Sequence, residues 1–143
     1  MFHAKNYIKV TSLEEAYELN QKKSNAIIGG MLWLKMSNRN MQTAIDLSGL
    51  GLDQIEEQED AFSIGCMCTL RQLEMHEALN LYFGGAMKAC TRHIVGTQFR
   101  NGATVGGSIF GRFGFSDILT CLLALDTYVE LYHAGVIALS EFV

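Results

Sequence analysis

The sequence predicts an α+β fold in two parts. Residues 1–50 read as a small βαβ unit, and residues 51–143 as a mixed or antiparallel sheet with helices. Three observations predict this. Short apolar runs alternate with helical stretches in the first fifty residues, as parallel strands joined by crossovers do. Two capping boxes, Ser12-Leu13-Glu14-Glu15 and Thr69-Leu70-Arg71-Gln72, mark helix starts. The stretch from Thr127 to Leu139 alternates around His133-Ala134-Gly135, as a hairpin does.

The elements follow in order. Tyr7 to Val10 reads as a short strand. A helix opened by Ser12 runs to about Lys22, with Leu13, Ala16, Tyr17 and Asn20 on its inner side. Ala26-Ile27-Ile28 reads as a buried strand, Met31 to Met36 as a short helix, and Ala44 to Leu47 as another strand. In the second part, Gln54 to Glu57 and Ala61 to Gly65 form a hairpin turning at Glu59-Asp60. Thr69 opens a helix through about Glu77, and Gly84 to His93 gives another, with Ala86, Ala89 and Cys90 packed closely. The glycine-rich segment from Gly96 to Gly114 interrupts regular structure. Ser116 caps a helix from Asp117 to Leu125.

Composition narrows the function classes. A chain of 143 residues buries one sizeable core, or two small subdomains sharing an interface. Net charge is −4 with no basic cluster, which argues against a nucleic-acid partner. The longest strongly apolar stretch, Ile118 to Leu125, is far short of the roughly 20 residues a spanning helix needs. The N-terminus has no apolar signal core, so a cytoplasmic protein is expected. Cys66, Cys68, Cys90 and Cys121 lie on apolar patterns and read as free thiols. Cys66 and Cys68 alternate as on a strand, sharing one face. With no Cys-x-x-Cys, neither an iron–sulfur cluster nor a zinc site is expected. His76-Glu77 lacks a second His at helical spacing, and His93 reads as a helix-end residue. No residue suggests acid–base or nucleophilic catalysis.

Two glycine doublets carry the functional signal. The first is Gly29-Gly30 in Asn25-Ala26-Ile27-Ile28-Gly29-Gly30-Met31-Leu32. The second is Gly106-Gly107 in Asn101-Gly102-Ala103-Thr104-Val105-Gly106-Gly107-Ser108-Ile109, with Ser116-Asp117 following. Glycine permits positive φ or close approach of bare backbone, so amides can turn toward an anion. Each doublet alone also suits a plain tight turn or a bulge. Neither is a Walker loop or a Rossmann fingerprint. Two loops converging on one ligand would suit a diphosphate. Backbone amides would neutralise it without many Lys or Arg, at roughly 1.5–3 kcal/mol per charge-assisted bond.

The run from Ile94 to Leu125, with Gln98-Phe99-Arg100-Asn101, Ala103 to Ile109, Ser116-Asp117 and Leu122 to Leu125, resembles the FAD-binding subunit of molybdenum hydroxylases. That family includes the medium chains of xanthine, nicotinate and carbon monoxide dehydrogenases. Ala26 to Gly30 is similar to its first flavin loop. The resemblance implies a noncovalent FAD domain made of two subdomains, lacking the family's further C-terminal domain. The backbone of Ile27, Ile28, Gly29, Gly30, Met31, Leu32 and Trp33 would wrap the diphosphate. Thr104, Val105, Gly106, Gly107 and Ser108 would form a second cradle, with Ser108 replacing the commoner Asn. Asp117 would accept from a flavin hydroxyl, and Ile94 would offer the adenine an aliphatic face.

The resemblance further implies an electron relay. A molybdopterin subunit oxidises substrate, an iron–sulfur subunit passes electrons on, and the flavin delivers them to NAD or another acceptor. The competing reading is a non-catalytic interaction module with the same fold and no flavin.

Overall fold

The computed structural model describes residues 1–143. Its N-terminal part is a parallel sheet of β1 (His3–Lys9), β2 (Asn25–Ile28) and β3 (Asn40–Asp46), ordered β1-β3-β2. The central strand is the most deeply covered: Ile45 is fully buried, and Met41, Thr43 and Ala44 are buried with it. It pairs Ala44 with Tyr7 on one side and with Ala26 on the other. Tyr7 also donates from its hydroxyl to Asp46.

Helix α1 (Leu13–Asn20) crosses from β1 to β2. Ser12 Oγ accepts from Glu15 N at 3.1 Å, while Glu15 accepts from Thr11 N at 2.8 Å, one residue before the cap. The inner face is narrower than periodicity implies. Ala16 is buried and Leu19 packs beside it, but Leu13, Tyr17 and Asn20 are exposed. A sheet of three short strands covers little more than one residue per helical turn. Tyr17 instead sets its ring edge-on to Tyr132 and His133 of the C-terminal hairpin, centroids 5.9 and 4.7 Å away.

The second part begins with an antiparallel ribbon, β4 (Ile55–Glu57) and β5 (Phe62–Ile64). Then come α2 (Leu70–Met75), α3 (Glu77–Tyr82), α4 (Ala86–Thr91), α5 (Thr97–Gly102), α6 (Val105–Gly111) and α7 (Asp117–Leu123). A second ribbon, β6 (Tyr128–Leu131) and β7 (Gly135–Ala138), leads into α8 (Leu139–Phe142). The antiparallel strands thus form two separate ribbons rather than one sheet. Ten buried residues form this part's core, including Leu70, Leu73, Leu79, Met87, Val105, Ile118, Leu122 and Leu139. Leu50, Leu52 and Met67 pack instead against Val10, Ala16, Ile45 and Leu47 of the N-terminal part.

Several expectations are corrected. The helix expected over Met31–Met36 shrinks to a 3-10 turn, Leu34–Met36, because Met31 takes a left-handed φ of 61°. The helix opened by Thr69 ends before His76, whose ψ of 111° breaks it. His76 Nδ1 then accepts from Leu79 N at 3.2 Å and caps α3, an element the sequence reading missed. In α4 the buried residues are Met87 and Thr91, while Ala89 is exposed. Gly96 to Gly114 holds two helices: α5 starts at Gly96 with no side-chain cap, and Thr104 caps α6 with its hydroxyl, which offsets glycine's poor propensity there. Cys66 and Cys68 lie in a turn, not on a strand, and share no face: Cys66 is exposed and Cys68 fully buried.

Candidate functional site

The first glycine loop leaves the carboxyl end of β2. None of the six consecutive N–H groups from Gly29 to Leu34 donates to any group of the protein. Ladder bonding stops at Ile28, and the 3-10 turn starts too late to use them. The loop's single left-handed residue is Met31, not a glycine. Gly29, Gly30, Gly106 and Gly107 all avoid positive φ, so of the two reasons for glycine only close approach operates.

That approach is to neighbouring protein, backbone at Gly30 and the Thr104 side chain at Gly29. A Cβ on Gly30 would fall 1.5 Å from the Gly102 carbonyl oxygen, and one on Gly29 would fall 2.6 Å from Thr104 Oγ1. The two loops therefore lie directly on one another. Gly106 is equally confined, its Cβ position 2.7 Å from Cys66 Cβ and the Cys66 carbonyl oxygen.

The second loop differs from the first in its donors. Val105 N donates to Cys68 O at 2.8 Å and Gly106 N to Cys66 O at 2.9 Å. Gly107 N donates to Thr104 Oγ1 at 3.2 Å and Ser108 N to Thr104 O at 3.0 Å. Ser108 Oγ also donates to Thr104 O at 2.9 Å. These amides are already engaged. The second loop forms a wall that clamps the first; of its amides from Thr104 to Ser108 only Thr104 N lacks a protein acceptor, whereas the first loop offers six in a row.

A buried ion pair fixes the wall. Arg100 Nε donates to Glu74 Oε2 at 2.8 Å, and Arg100 Nη1 donates to Ile94 O at 3.2 Å. The Arg100 guanidinium holds the Glu74 carboxyl below the usual carboxylate range, with Arg71 adding to it at 2.9 Å. Sequence reasoning gave neither Arg100 nor Glu74 a role. The one available signal was an Arg inside an otherwise uncharged stretch, Thr97 to Ala103. Ile94 is half-buried against the main core. Asp117 is exposed at the start of α7, where Ser116 Oγ accepts from Leu119 N at 3.3 Å.

Trp33, at the far end of the first loop, is 50% exposed. Its ring lies 6.0 Å from Phe99, 6.1 Å from Phe113 and 5.9 Å from Phe115. Phe113 and Phe115 stack with centroids 5.1 Å apart and planes 12° from parallel.

A family profile described as "FAD binding domain in molybdopterin dehydrogenase" matches residues 2–143. The chain belongs to this family. Its cofactor is therefore FAD, and the geometry suits it: a diphosphate asks for several convergent donors, which the open amides of Gly29 to Leu34 supply. Protein YgfM of Escherichia coli K12 is 24% identical over 140 residues, covering 95% of this chain and 52% of that protein. The O157:H7 counterpart matches equally. The chain thus spans about half the length of the curated relatives it matches.

Solved structures agree on the fold. Quinoline 2-oxidoreductase from Pseudomonas putida 86 superposes with a TM-score of 0.86 at 20% identity, over 99% of this chain and 53% of that one. Carbon monoxide dehydrogenase from Oligotropha carboxidovorans gives 0.85 at 19% identity, over 97% and 52%. The enzyme from Hydrogenophaga pseudoflava gives 0.80 at 21%, over 95% and 50%. No helix is long and apolar enough to cross a membrane.

Proposed function

We propose that this domain is the flavin-bearing electron-transfer component of a molybdenum hydroxylase of the xanthine dehydrogenase type. The observation that carries the reading is the run of six acceptor-free amides, Gly29 to Leu34, clamped from behind by Gly102 and Thr104. Bound there, FAD supplies the redox chemistry, and the protein supplies binding and orientation.

The chain's own residues divide the work. The backbone from Ile27 to Trp33 takes the diphosphate. Thr104, Val105, Gly106, Gly107 and Ser108 form the opposing wall, which holds the loop in shape and keeps water from one side of the ligand. Asp117 accepts from a hydroxyl of the flavin chain, and Ile94 lies toward the adenine. Residues 1–50 and 51–143 act as two subdomains holding one cofactor at their junction. The partners are an iron–sulfur subunit that delivers electrons and a molybdopterin subunit that oxidises substrate, with NAD or another acceptor; the assembly is cytoplasmic. This chain provides no acid, base or nucleophile.

The test is direct. The purified protein should carry a yellow chromophore that heat releases as FAD, and excess FAD should raise the thermal unfolding midpoint of stripped protein. Colourless protein with no shift on adding FAD would reject the reading.

A further inference from the structure

We propose that Trp33, Phe113 and Phe115 form the platform on which the isoalloxazine ring of FAD rests, with Trp33 in contact with its face. The inference rests on the functional reading above and assigns a ring to side chains that this reading leaves unused.

Four observations carry it. First, the three rings are half or more open to solvent, or nearly so: Trp33 is 50% exposed, Phe113 40% and Phe115 67%. Second, Trp33 belongs to the loop that offers the free amides, and contributes one of them. A diphosphate on that loop leaves its attached rings within reach of the Trp33 side chain.

Third, the cluster has built geometry. A Cβ on Gly111 would come 2.8 Å from the Phe113 ring, so a bare residue there lets Phe113 turn back and stack on Phe115. Fourth, the shape favours one end of the dinucleotide. The stacked pair meets Trp33 at 56° and 63° and braces its half-exposed indole, whose open face suits a flat tricycle with a dimethylbenzene edge. Phe115 also precedes Asp117, the carboxylate read as meeting a flavin hydroxyl, by two residues. Ile94, read as lying toward the adenine, is half-buried against the main core and is not among these rings.

Trp33 is the only tryptophan, so its emission reports on this surface alone. FAD titrated into stripped protein should quench it by about half or more, while saturating ADP leaves it unchanged. Replacing both phenylalanines, Phe113→Leu with Phe115→Leu, keeps apolar volume and removes the rings. It should weaken FAD about tenfold and leave ADP affinity as it was. The Phe113→Ala, Phe115→Ala pair should show the same selectivity, and unchanged unfolding midpoints would exclude misfolding. Equilibrium dialysis separates the failures. FAD that binds without quenching Trp33 overturns the platform and leaves the dinucleotide site standing. Quenching by ADP to the same degree puts adenine there and overturns it equally. No FAD binding at all overturns both.

Discussion

Arg100 and Glu74 bind each other out of water: Nε lies 2.8 Å from Oε2, and the two residues are 5% and 6% exposed. The pair joins α5 to α2 two residues before Gly102, the carbonyl on which the first glycine loop rests. Without Arg100 the buried Glu74 carboxylate keeps only the more exposed Arg71, 2.9 Å away, as its partner. Arg100→Met should therefore cost less than the ~3–5 kcal/mol of a fully orphaned buried charge, on the order of 2 kcal/mol of folding free energy, read from urea unfolding. It should also loosen FAD through the displaced wall.

Acid should act on the same pair. Because Arg100 lowers the Glu74 pKa in the fold, the linked stability is fully present above the unfolded carboxylate's pKa. It is lost as pH falls through the lowered folded value. The unfolding midpoint of Glu74→Gln should accordingly fall less steeply with acidification than that of the parent protein.

The loop clamp predicts a contrast between glycines. In Gly30→Ala the new methyl meets a backbone carbonyl that cannot rotate away, so the loops must part. The expected cost is about 1–3 kcal/mol with a marked loss of FAD. Gly114→Ala meets nothing within 4 Å and should stay within about 0.5 kcal/mol of the parent. Thermal melts with and without FAD compare the two.

Asn80 ties three helices together. Its Nδ2 donates to the carbonyls of Leu73, Glu74 and His76, and its Oδ1 accepts from Lys88 N at 2.7 Å. Asn80→Ala should cost about 2 kcal/mol in urea unfolding, since it leaves several partly buried partners unmatched.

Cysteine labelling gives a test of the α4–α7 contact. Burial, and then the neighbouring Cys121, push the Cys90 thiol up to about 12 from an ordinary value of 9.0. Its thiolate fraction near neutrality is thus about a thousandfold below that of a free thiol. Iodoacetamide at mildly alkaline pH should label Cys90 slowly in the native protein and fast in urea, as peptide mass mapping would show. The native rate should climb about tenfold per pH unit toward the thiol's pKa.

Much of this was legible in sequence because it is written locally. Ser12, Thr69 and Ser116 announced their helices through side chains that bond amides three residues on. The hairpins at Glu59-Asp60 and His133-Gly135 followed from turn residues between alternating runs. What sequence could not show was the use made of glycine. Nothing in Gly29-Gly30 says that Gly102 will lie against it, since that contact depends on how two distant segments dock. The same holds for Val105 and Gly106, whose amides are consumed by the carbonyls of Cys68 and Cys66, and for His76, read as a helix residue but acting as a cap between two helices.

The clamp also sets an order of events. The first loop is made early in the chain, yet its outer strand pairs with β3, which comes later, and its backing arrives only with Gly102 and Thr104. Contacts at such sequence separation are late and slow to form. Flavin uptake during refolding should therefore register the last stage of assembly, and a chain cut short before Gly102 would emerge with its loop unsupported and unable to keep the pigment.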